Sequence, residues 1–372
     1  MKTFAVPVVV VLACSCLAAP ARAADEAAIR AAIAKATAFM EKRQGDDGSF
    51  SPEVGPAITA LAVTALVKSG TPVDAAVVQK GLARLLSFQR TDGGIYVPES
   101  PVSNYETALA MVALAACNTG GKYDKEIKGC EAYVKGLQWD DGEGKGKADP
   151  AYGGAGYGKK GRPDLSNTQF MIEALRSIGV SENDPAIEKA LVFVSRTQNL
   201  EGPENTTPFA AANTNEDDRG GFYYTPAAGG ESQAGGSPEG GLRSYGSMTY
   251  AGLKSMIFAG LTKDDYRVQA AIKWLGRHYT FKENPGMGQA GIFYYFHTAA
   301  KSLDVLGVET FTDTAGKEHA WRSEIATEIL ARQRPDGSWV NDNAKWMEDN
   351  PDLVTSYALL ALAYCLPPRT DR

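Results

Sequence analysis

Asp217 and Asp218 are adjacent carboxylates, followed by Arg219, in an irregular stretch of about residues 199–244 that is rich in glycine and serine. Neighbouring carboxylates can bind Mg²⁺ or Ca²⁺, and one of them can act as a general acid. Loops of this length in a compact domain are commonly lids or binding loops. Two interpretations stay open: a divalent-cation or acid site at Asp217 and Asp218, or a solvated loop in which one of the pair belongs to a turn.

A second loop combines aromatic and basic side chains. Tyr152 and Tyr157 flank a run of small residues, and Lys159 and Arg162 follow within five positions. Tyrosine rings stack on sugars or on apolar chains, and basic groups bind phosphates and carboxylates. These tyrosines are therefore candidate ligand contacts, with ordinary surface solvation as the alternative.

An internal repeat indicates the elements that position these groups. The pattern Q-x-x-D-G begins at four glutamines: Gln44, Gln89, Gln138 and Gln333. A stretched fifth copy joins Gln198 to Gly220, and a sixth unit has lost its glutamine. Asp-Gly suits a turn because glycine tolerates positive φ, and a glutamine at a helix end can bind the last free carbonyls. An aromatic residue completes the turn at three places: Phe50, Tyr96 and Trp339.

Each turn lies between a charged, amphipathic helix and a more apolar helix. The apolar helices share one threonine each: Thr59, Thr107, Thr168, Thr249, Thr298 and Thr355. Helices that are apolar on all sides belong in a core, so the repeat predicts an all-α fold with an inner and an outer ring. All inner helices then begin at the same mouth, where their dipoles favour an anion such as diphosphate unless carboxylates cap them.

The Q-x-x-D-G hairpins resemble the repeat of squalene-hopene cyclases and of protein prenyltransferase β subunits. The resemblance covers about residues 27–366, and it implies one (α/α)6 toroid domain over 24–372 with a central apolar cavity. The repeat motif is a structural clamp, so the resemblance implies a fold more directly than a reaction.

In the cyclases that the chain resembles, the proton donor lies in D-x-D-D-T at the start of an inner helix. Here Asp164 keeps the first aspartate, whereas Ser166 and Asn167 replace the two that matter. Glu106 stands at the same level of the second repeat and fits a capping box with Ser103. Asp164 and Glu106 remain candidate acids, but the pair that starts a carbocation is missing.

Protein prenyltransferases hold zinc through an aspartate, a cysteine and a histidine on neighbouring inner helices. His297 resembles the histidine, but Gly246 and Ser247 replace the partners. A zinc site needs about three protein ligands, so we expect no metal there and a cavity-lining role for His297. Further candidate ligand contacts lie on or beside inner helices: Tyr105, Asn167, Tyr245, Tyr250 and Tyr295.

The N-terminus is typical of a signal peptide, with Lys2, an apolar run and an A-x-A site at Ala21–Ala23. We expect residues 1–23 to be removed and the protein to be secreted or periplasmic. Lipidation at Cys14 is the alternative. No later run reaches the roughly 18 apolar residues of a membrane helix.

The charge and the cysteines limit the possible partners. A net charge of −6 over 372 residues disfavours nucleic acid, which requires clustered basic residues. Cys117, Cys130 and Cys365 remain after signal removal, and a Cys117–Cys130 bridge stays open.

Two functions follow from the sequence. The first is an exported cyclase-like protein whose cavity binds a hydrophobic, isoprenoid-like ligand without standard cyclase or zinc prenyltransferase activity. The alternative is a toroid that binds or cleaves polysaccharide, or a non-catalytic interaction module. Inward Phe and Trp favour isoprenoids, whereas His, Tyr, Arg and carboxylates in an open groove favour glycans.

Overall fold

A computed structural model describes residues 25–159 and 161–367. The predicted signal peptide, including Cys14, lies outside the described residues. The described part forms thirteen α-helices: α1 (Glu26–Arg43), α2 (Pro56–Lys68), α3 (Ala76–Leu86), α4 (Ser103–Ala116), α5 (Asp124–Lys135), α6 (Leu165–Ser177), α7 (Pro185–Arg196), α8 (Pro208–Ala212), α9 (Gly246–Phe258), α10 (Tyr266–Arg277), α11 (Ile292–Leu306), α12 (Trp321–Leu330) and α13 (Pro351–Cys365). Its two strands, β1 (Phe311–Thr312) and β2 (Glu318–His319), form one antiparallel hairpin.

Six helices form a closed inner ring. In ring order α2, α4, α6, α9, α11 and α13 each pack against the next, and α13 returns to α2. The outer helices α1, α3, α5, α7, α10 and α12 pack against this ring from outside. The predicted all-α fold, an (α/α)6 toroid, is confirmed.

Burial explains which helices lie inside. Every residue of α2 from Pro56 to Leu66 is buried, as its apolar sequence requires. The outer helix α10 instead buries one face, with Val268, Ala271 and Trp274 inward. None of the described helices is long and apolar enough to cross a bilayer.

The repeat glutamines join neighbouring hairpins. Gln44 Nε2 donates to the carbonyl of Gly48 in its own turn at 3.1 Å and to that of Val77 in α3 at 2.8 Å. Gln333 Nε2 makes the same pair of bonds, to Gly337 and to Ala32 of α1, at 3.0 Å each. The expectation that these amides bind carbonyls of their own helices was wrong, because their second partner lies in the next outer helix. The motif therefore fixes the spacing of the outer ring and closes it.

The third copy places its glycine later than the sequence pattern suggested. Gln138 Nε2 donates to the carbonyl of Gly153 at 2.8 Å and to that of Ala186 at 2.9 Å, so Gly153 and not Gly142 is the turn glycine. The residues between them form an insertion. Gln198 bonds to Gly220 and Arg267 at 2.9 Å each, which confirms the stretched fifth copy.

Gly153→Ala is expected to destabilise the fold by about 2–4 kcal/mol. Gly153 has φ +83°, and an added Cβ would lie 1.8 Å from the carbonyl oxygen of Lys189 in α7. Gly144 in the same insertion has φ +71° but nothing within 4 Å of an added Cβ, so Gly144→Ala should cost only about 1 kcal/mol. Chemical denaturation of both variants measures their free energies of unfolding. Equal losses of stability would contradict the close approach of Gly153 to α7.

The shared threonines tie each turn to its inner helix. Thr59 Oγ1 accepts the backbone N–H of Phe50 at 3.0 Å, and Thr355 accepts that of Trp339 at 3.2 Å. In the second repeat Thr107 accepts from Ile95 at 3.1 Å, so Ile95 rather than Tyr96 completes the turn. Tyr96 instead donates its hydroxyl to Asp92.

The threonine alignment fails at α11. The other shared threonines lie three or four residues after the first residue of their helix, whereas Thr298 lies six after Ile292. Thr298 bonds only its own helix, to the carbonyl of Tyr294 at 2.8 Å. His297 is therefore about one turn deeper than the alignment predicted.

The three cysteines within residues 25–159 and 161–367 do not pair. Cys117, Cys130 and Cys365 are all buried free thiols. Burial raises the pKa of the Cys117 thiol to about 11 and that of Cys130 to about 12.

Candidate ligand-binding cavity

A central cavity of about 390 Å³ opens at the N-terminal end of the inner ring. The first two turns of all six inner helices line it, through residues such as Ile58, Tyr105, Ser166, Met248, Tyr294 and Leu353. The predicted convergence of the inner-helix N-termini at one mouth is confirmed. Loops complete the wall with Tyr157, Tyr224, Gln233 and the segment Trp346–Glu348.

The cavity wall is mainly aromatic. Eight aromatic side chains line it: Tyr105, Tyr157, Phe170, Tyr224, Tyr245, Tyr294, Trp346 and Tyr357. The Tyr105 and Phe170 rings meet edge to face with centroids 5.2 Å apart, and those of Tyr294 and Tyr357 do so at 5.9 Å. Such edge-to-face contacts hold the rings in fixed orientations and give the wall a defined shape.

Few polar groups reach the cavity. Ser166 Oγ lies 3.2 Å from the Tyr294 hydroxyl, and Ser247, Gln233 and Glu348 supply the other polar side chains besides the tyrosine hydroxyls. None of the lining residues within 25–159 and 161–367 is lysine, arginine or histidine. The wall thus offers rings, hydroxyls and one carboxyl group, and no cationic partner for a phosphate or a uronate.

Glu348 caps α11 from the loop before α13. Its Oε1 accepts the backbone N–H groups of Phe293 and Tyr294 at 3.0 and 2.8 Å, and Oε2 accepts the Asn341 amide at 2.8 Å. Burial raises the pKa of Glu348 to about 6 even though these donors lower it. The carboxyl group is therefore mostly charged at neutral pH and held in one position.

Asp164 caps α6 and does not line the cavity. One carboxylate oxygen accepts the backbone N–H of Asn167 at 2.8 Å, and the other accepts its side-chain amide at 2.8 Å. Burial raises the pKa of Asp164 to about 6. Since Asn167 occupies both oxygens, the pair forms a helix cap behind the tyrosine wall.

Glu106 is buried beside the turn before α2. An added Cβ on Gly55 would lie 2.4 Å from its Oε1, and its Oε2 lacks a hydrogen-bond partner. Burial raises the pKa of Glu106. The cavity-lining residues do not include Glu106, so this acid lies outside the wall.

Asp217 and Asp218 face different surroundings. Asp218 is buried and accepts the backbone N–H of Ser244 at 2.8 Å, which ties the long loop to the start of α9. Asp217 and Arg219 are exposed, and Arg219 lies 3.4 Å from Glu216. No group of three or more His, Cys, Asp or Glu residues in the described ranges is arranged to hold a metal ion. The long loop contributes to the cavity through Tyr224 and Gln233 instead.

His297 lies below the cavity. Its ring stacks on Tyr357 with centroids 5.8 Å apart, and burial lowers its pKa to about 3. Among the described residues its Nδ1 has no hydrogen-bond partner. A cluster of buried charges neighbours it, in which Glu173 binds Lys254 at 2.6 Å and also binds Lys301. His297 is thus a neutral side chain between the aromatic wall and these charges.

The predicted tyrosines divide between the wall and the packing behind it. Tyr105, Tyr157 and Tyr245 line the cavity. Tyr250 and Tyr295 pack against each other with centroids 5.7 Å apart, and the Tyr295 hydroxyl donates to the Thr280 carbonyl at 2.7 Å. Tyr152 lies outside the lining residues.

Sequence reasoning missed Glu348, Trp346 and Tyr357. Trp346 and Glu348 belong to the loop between a repeat turn and an inner helix, the same position in the unit that carries Tyr157 and Tyr224. Tyr357 lies six residues after the start of α13, nearly two turns into the helix. Aromatic residues in each turn-to-helix loop were the available signal.

No protein-family profile and no curated protein matches the chain, but solved structures do. The type II terpene cyclase MstE from Scytonema aligns over 91% of this chain and 98% of its own, with a TM-score of 0.55 and 14% identity. The chain shares its α/α toroid fold. A variant of MstE in complex with its substrate, geranylgeranyl dihydroxybenzoate, aligns over 91% and 97% with a TM-score of 0.53 and 13% identity.

A protein of a different described family is similar to this chain in fold to about the same degree. A possible member of the GH105 family from Salmonella enterica aligns over 96% of this chain and 98% of its own, with a TM-score of 0.54 and 10% identity. At such identities the likeness shows the fold alone, so the cavity itself has to distinguish the two functions.

Proposed function

We propose that the central cavity binds a ligand with an apolar, isoprenoid-like body. The observation that carries this proposal is the composition of the wall, in which aromatic and aliphatic side chains from all six inner helices surround about 390 Å³. Pockets of this size that are mostly apolar with a few polar groups are typical small-molecule sites. Burial of an isoprenoid chain would gain roughly 25 cal/mol per Å² of apolar surface.

Standard cyclase and zinc prenyltransferase activity are not part of the proposal. Asp164 lies behind the wall with both oxygens bonded to Asn167, and Glu348 is engaged by two backbone N–H groups and Asn341. Neither acid offers a free proton to an alkene in the cavity. No group of three or more His, Cys, Asp or Glu residues around His297 is arranged to hold a metal ion among the described residues.

A glycan is the second candidate. Two aromatic side chains at the mouth, Tyr157 and Trp346, are 40% and 43% exposed and have faces on which a sugar ring can stack. Against it, the described wall lacks the cationic groups that bind uronates. We therefore rank the glycan second.

Binding assays with isoprenoids and glycans separate the two candidates. We expect farnesol and geranylgeraniol to raise the Tm of the purified protein, because a ligand that binds only the folded state stabilises it. Neutral and anionic polysaccharides should leave the Tm unchanged, and mass spectrometry should find no cyclised product. Stabilisation by a polysaccharide, with none by either alcohol, would overturn the proposal.

A further inference from the structure

We propose that the ligand of this cavity carries a positive charge, an ammonium group held among the tyrosine rings near Glu348. The inference rests on the proposed function, since it concerns the same cavity. It adds the charge of the ligand, which an apolar wall alone leaves open.

The charged groups around the cavity carry the inference. Glu348 is the one charged residue among the described lining residues, and Asp164 lies behind Tyr157 and Tyr224. Burial raises the pKa of Tyr224 and Tyr245, and the nearby Asp164 carboxylate raises it further. The side-chain charge that lines the cavity is therefore negative.

The dipoles of the inner helices oppose the charge of the carboxylates. The inner-helix N-termini each present roughly half a positive charge to the mouth. Carboxylates lie at several of these N-termini: Asp164 caps α6, Glu348 caps α11, and Asp352 lies in the first turn of α13, where it is paired with Arg43 at 2.9 Å. The sequence left two alternatives for the mouth, an anion such as diphosphate or carboxylates that cap the helices. The structure has carboxylate caps on α6 and α11.

The aromatic rings supply the second attraction. A cation over the face of a tyrosine or tryptophan is attracted to the ring quadrupole, with more gain where water is excluded. Trp346 already shows this contact, because Lys345 Nζ lies 4.4 Å from the centre of its ring. Several rings and one carboxylate around one cavity match the chemistry of ammonium recognition.

Three probes that share the farnesyl hydrocarbon chain but differ in their head group test the charge of the ligand: farnesylamine, farnesol and farnesoic acid. We expect farnesylamine to bind about tenfold more tightly than farnesol, with farnesoic acid weakest. Titration calorimetry below the aggregation concentration of each probe gives the affinities. Farnesol binding as tightly as the amine would overturn the inference and leave the proposed function intact, whereas no binding by any probe would overturn both.

Nonspecific attraction of an amine to an acidic protein is controlled by variants. Ser166→Trp, which fills the cavity, should abolish binding of the amine and of the alcohol, whereas Glu318→Gln on the exposed hairpin should retain the preference for the amine. Glu348→Gln keeps a carbonyl oxygen for the N–H groups of α11 but removes the charge, so we expect the amine-to-alcohol ratio to fall several-fold. An unchanged ratio in a folded Glu348→Gln protein would overturn the inference.

The wild-type protein offers an independent test through pH. Glu348, with a pKa raised by burial to about 6, is charged above that pH and loses its charge below it. Burial also raises the pKa of Tyr294 and Tyr357, so the facing phenols stay neutral and the amine stays protonated. The ratio should fall as pH is lowered through about 6, where Asp164, whose pKa is also raised by burial to about 6, loses its charge as well. A ratio that is constant across this range would contradict the role of Glu348.

Discussion

Replacing Glu173 with glutamine is expected to lower the free energy of unfolding by about 3–5 kcal/mol. Glu173 on α6 binds Lys254 of α9 at 2.6 Å and also binds Lys301 of α11. The side chains of Glu173 and Lys254 are only 9% and 1% exposed, so the variant leaves buried ammonium groups without a counter-charge. Removal of one partner of a buried ion cluster costs far more than removal of a surface pair.

Denaturant unfolding of Glu173→Gln and of a matched surface variant measures this effect. Glu131 binds Lys135 at 2.7 Å within the outer helix α5, and Glu131→Gln should cost no more than about 1 kcal/mol. Equal losses in the two variants would show that the buried cluster contributes nothing beyond a surface pair.

Acid should weaken the same cluster in the wild-type protein. Burial alone would raise the pKa of Glu173, but Lys254 and Lys301 lower it below its ordinary value. A depressed carboxyl pKa contributes stability above the unfolded-state pKa of about 4.3 and loses it as pH falls. The difference in stability between wild type and Glu173→Gln should therefore shrink in acid.

Ser166→Trp is expected to abolish binding of farnesol while the protein stays folded. Ser166 lies in the first turn of α6, is only partly buried and lines the cavity. An indole at this position occupies the space between α6 and Tyr294, whose hydroxyl lies 3.2 Å from Ser166 Oγ. The variant therefore reduces the volume of the cavity without removing a hydrogen bond of the repeat motif or of a helix cap.

Ser166→Ala is the control for the volume effect. It removes the contact with Tyr294, at a cost of about 1 kcal/mol in stability, and leaves the cavity open. We expect its affinity for farnesol to stay within a few-fold of wild type. Retention of full affinity by a folded Ser166→Trp protein, measured by calorimetry, would move the ligand site away from the cavity.

The repeat made the fold predictable from the sequence, because each motif residue has a local task. Gly48 and Gly337 adopt φ +86° and +94° at tight approaches to the next outer helix, and Thr59 and Thr355 bind the turn. The same contacts recur around the ring. The clear copies of the motif therefore allow a diverged copy to be assigned to the same helical hairpin.

The candidate site was predictable only in part. Tyr105 and Tyr245 were candidate contacts on or beside inner helices and Tyr157 was a candidate in a loop, and all three line the cavity. The shifted register of α11 could not be inferred from Thr298, because the pattern around it resembles the other repeats and only the turn contact is missing. His297 consequently lies below the cavity.

Glu348 could not be assigned from local sequence. It caps α11, whereas its own chain position is in the loop before α13, so the contact exists only once the ring is assembled. Asp164, by contrast, caps its own helix, and sequence alone could not tell that its oxygens turn to Asn167. Both cases depend on which way a carboxylate faces in the closed ring.

Photo-crosslinking with a diazirine analogue of farnesol tests the central claim most directly. Irradiation of the complex followed by peptide mass spectrometry should place the label on cavity residues such as Tyr105, Met248 and Leu353. Excess farnesol should displace the label, and Ser166→Trp should prevent it. Labelling confined to the outer helices, or labelling that farnesol does not displace, would contradict a ligand site in the centre of the toroid.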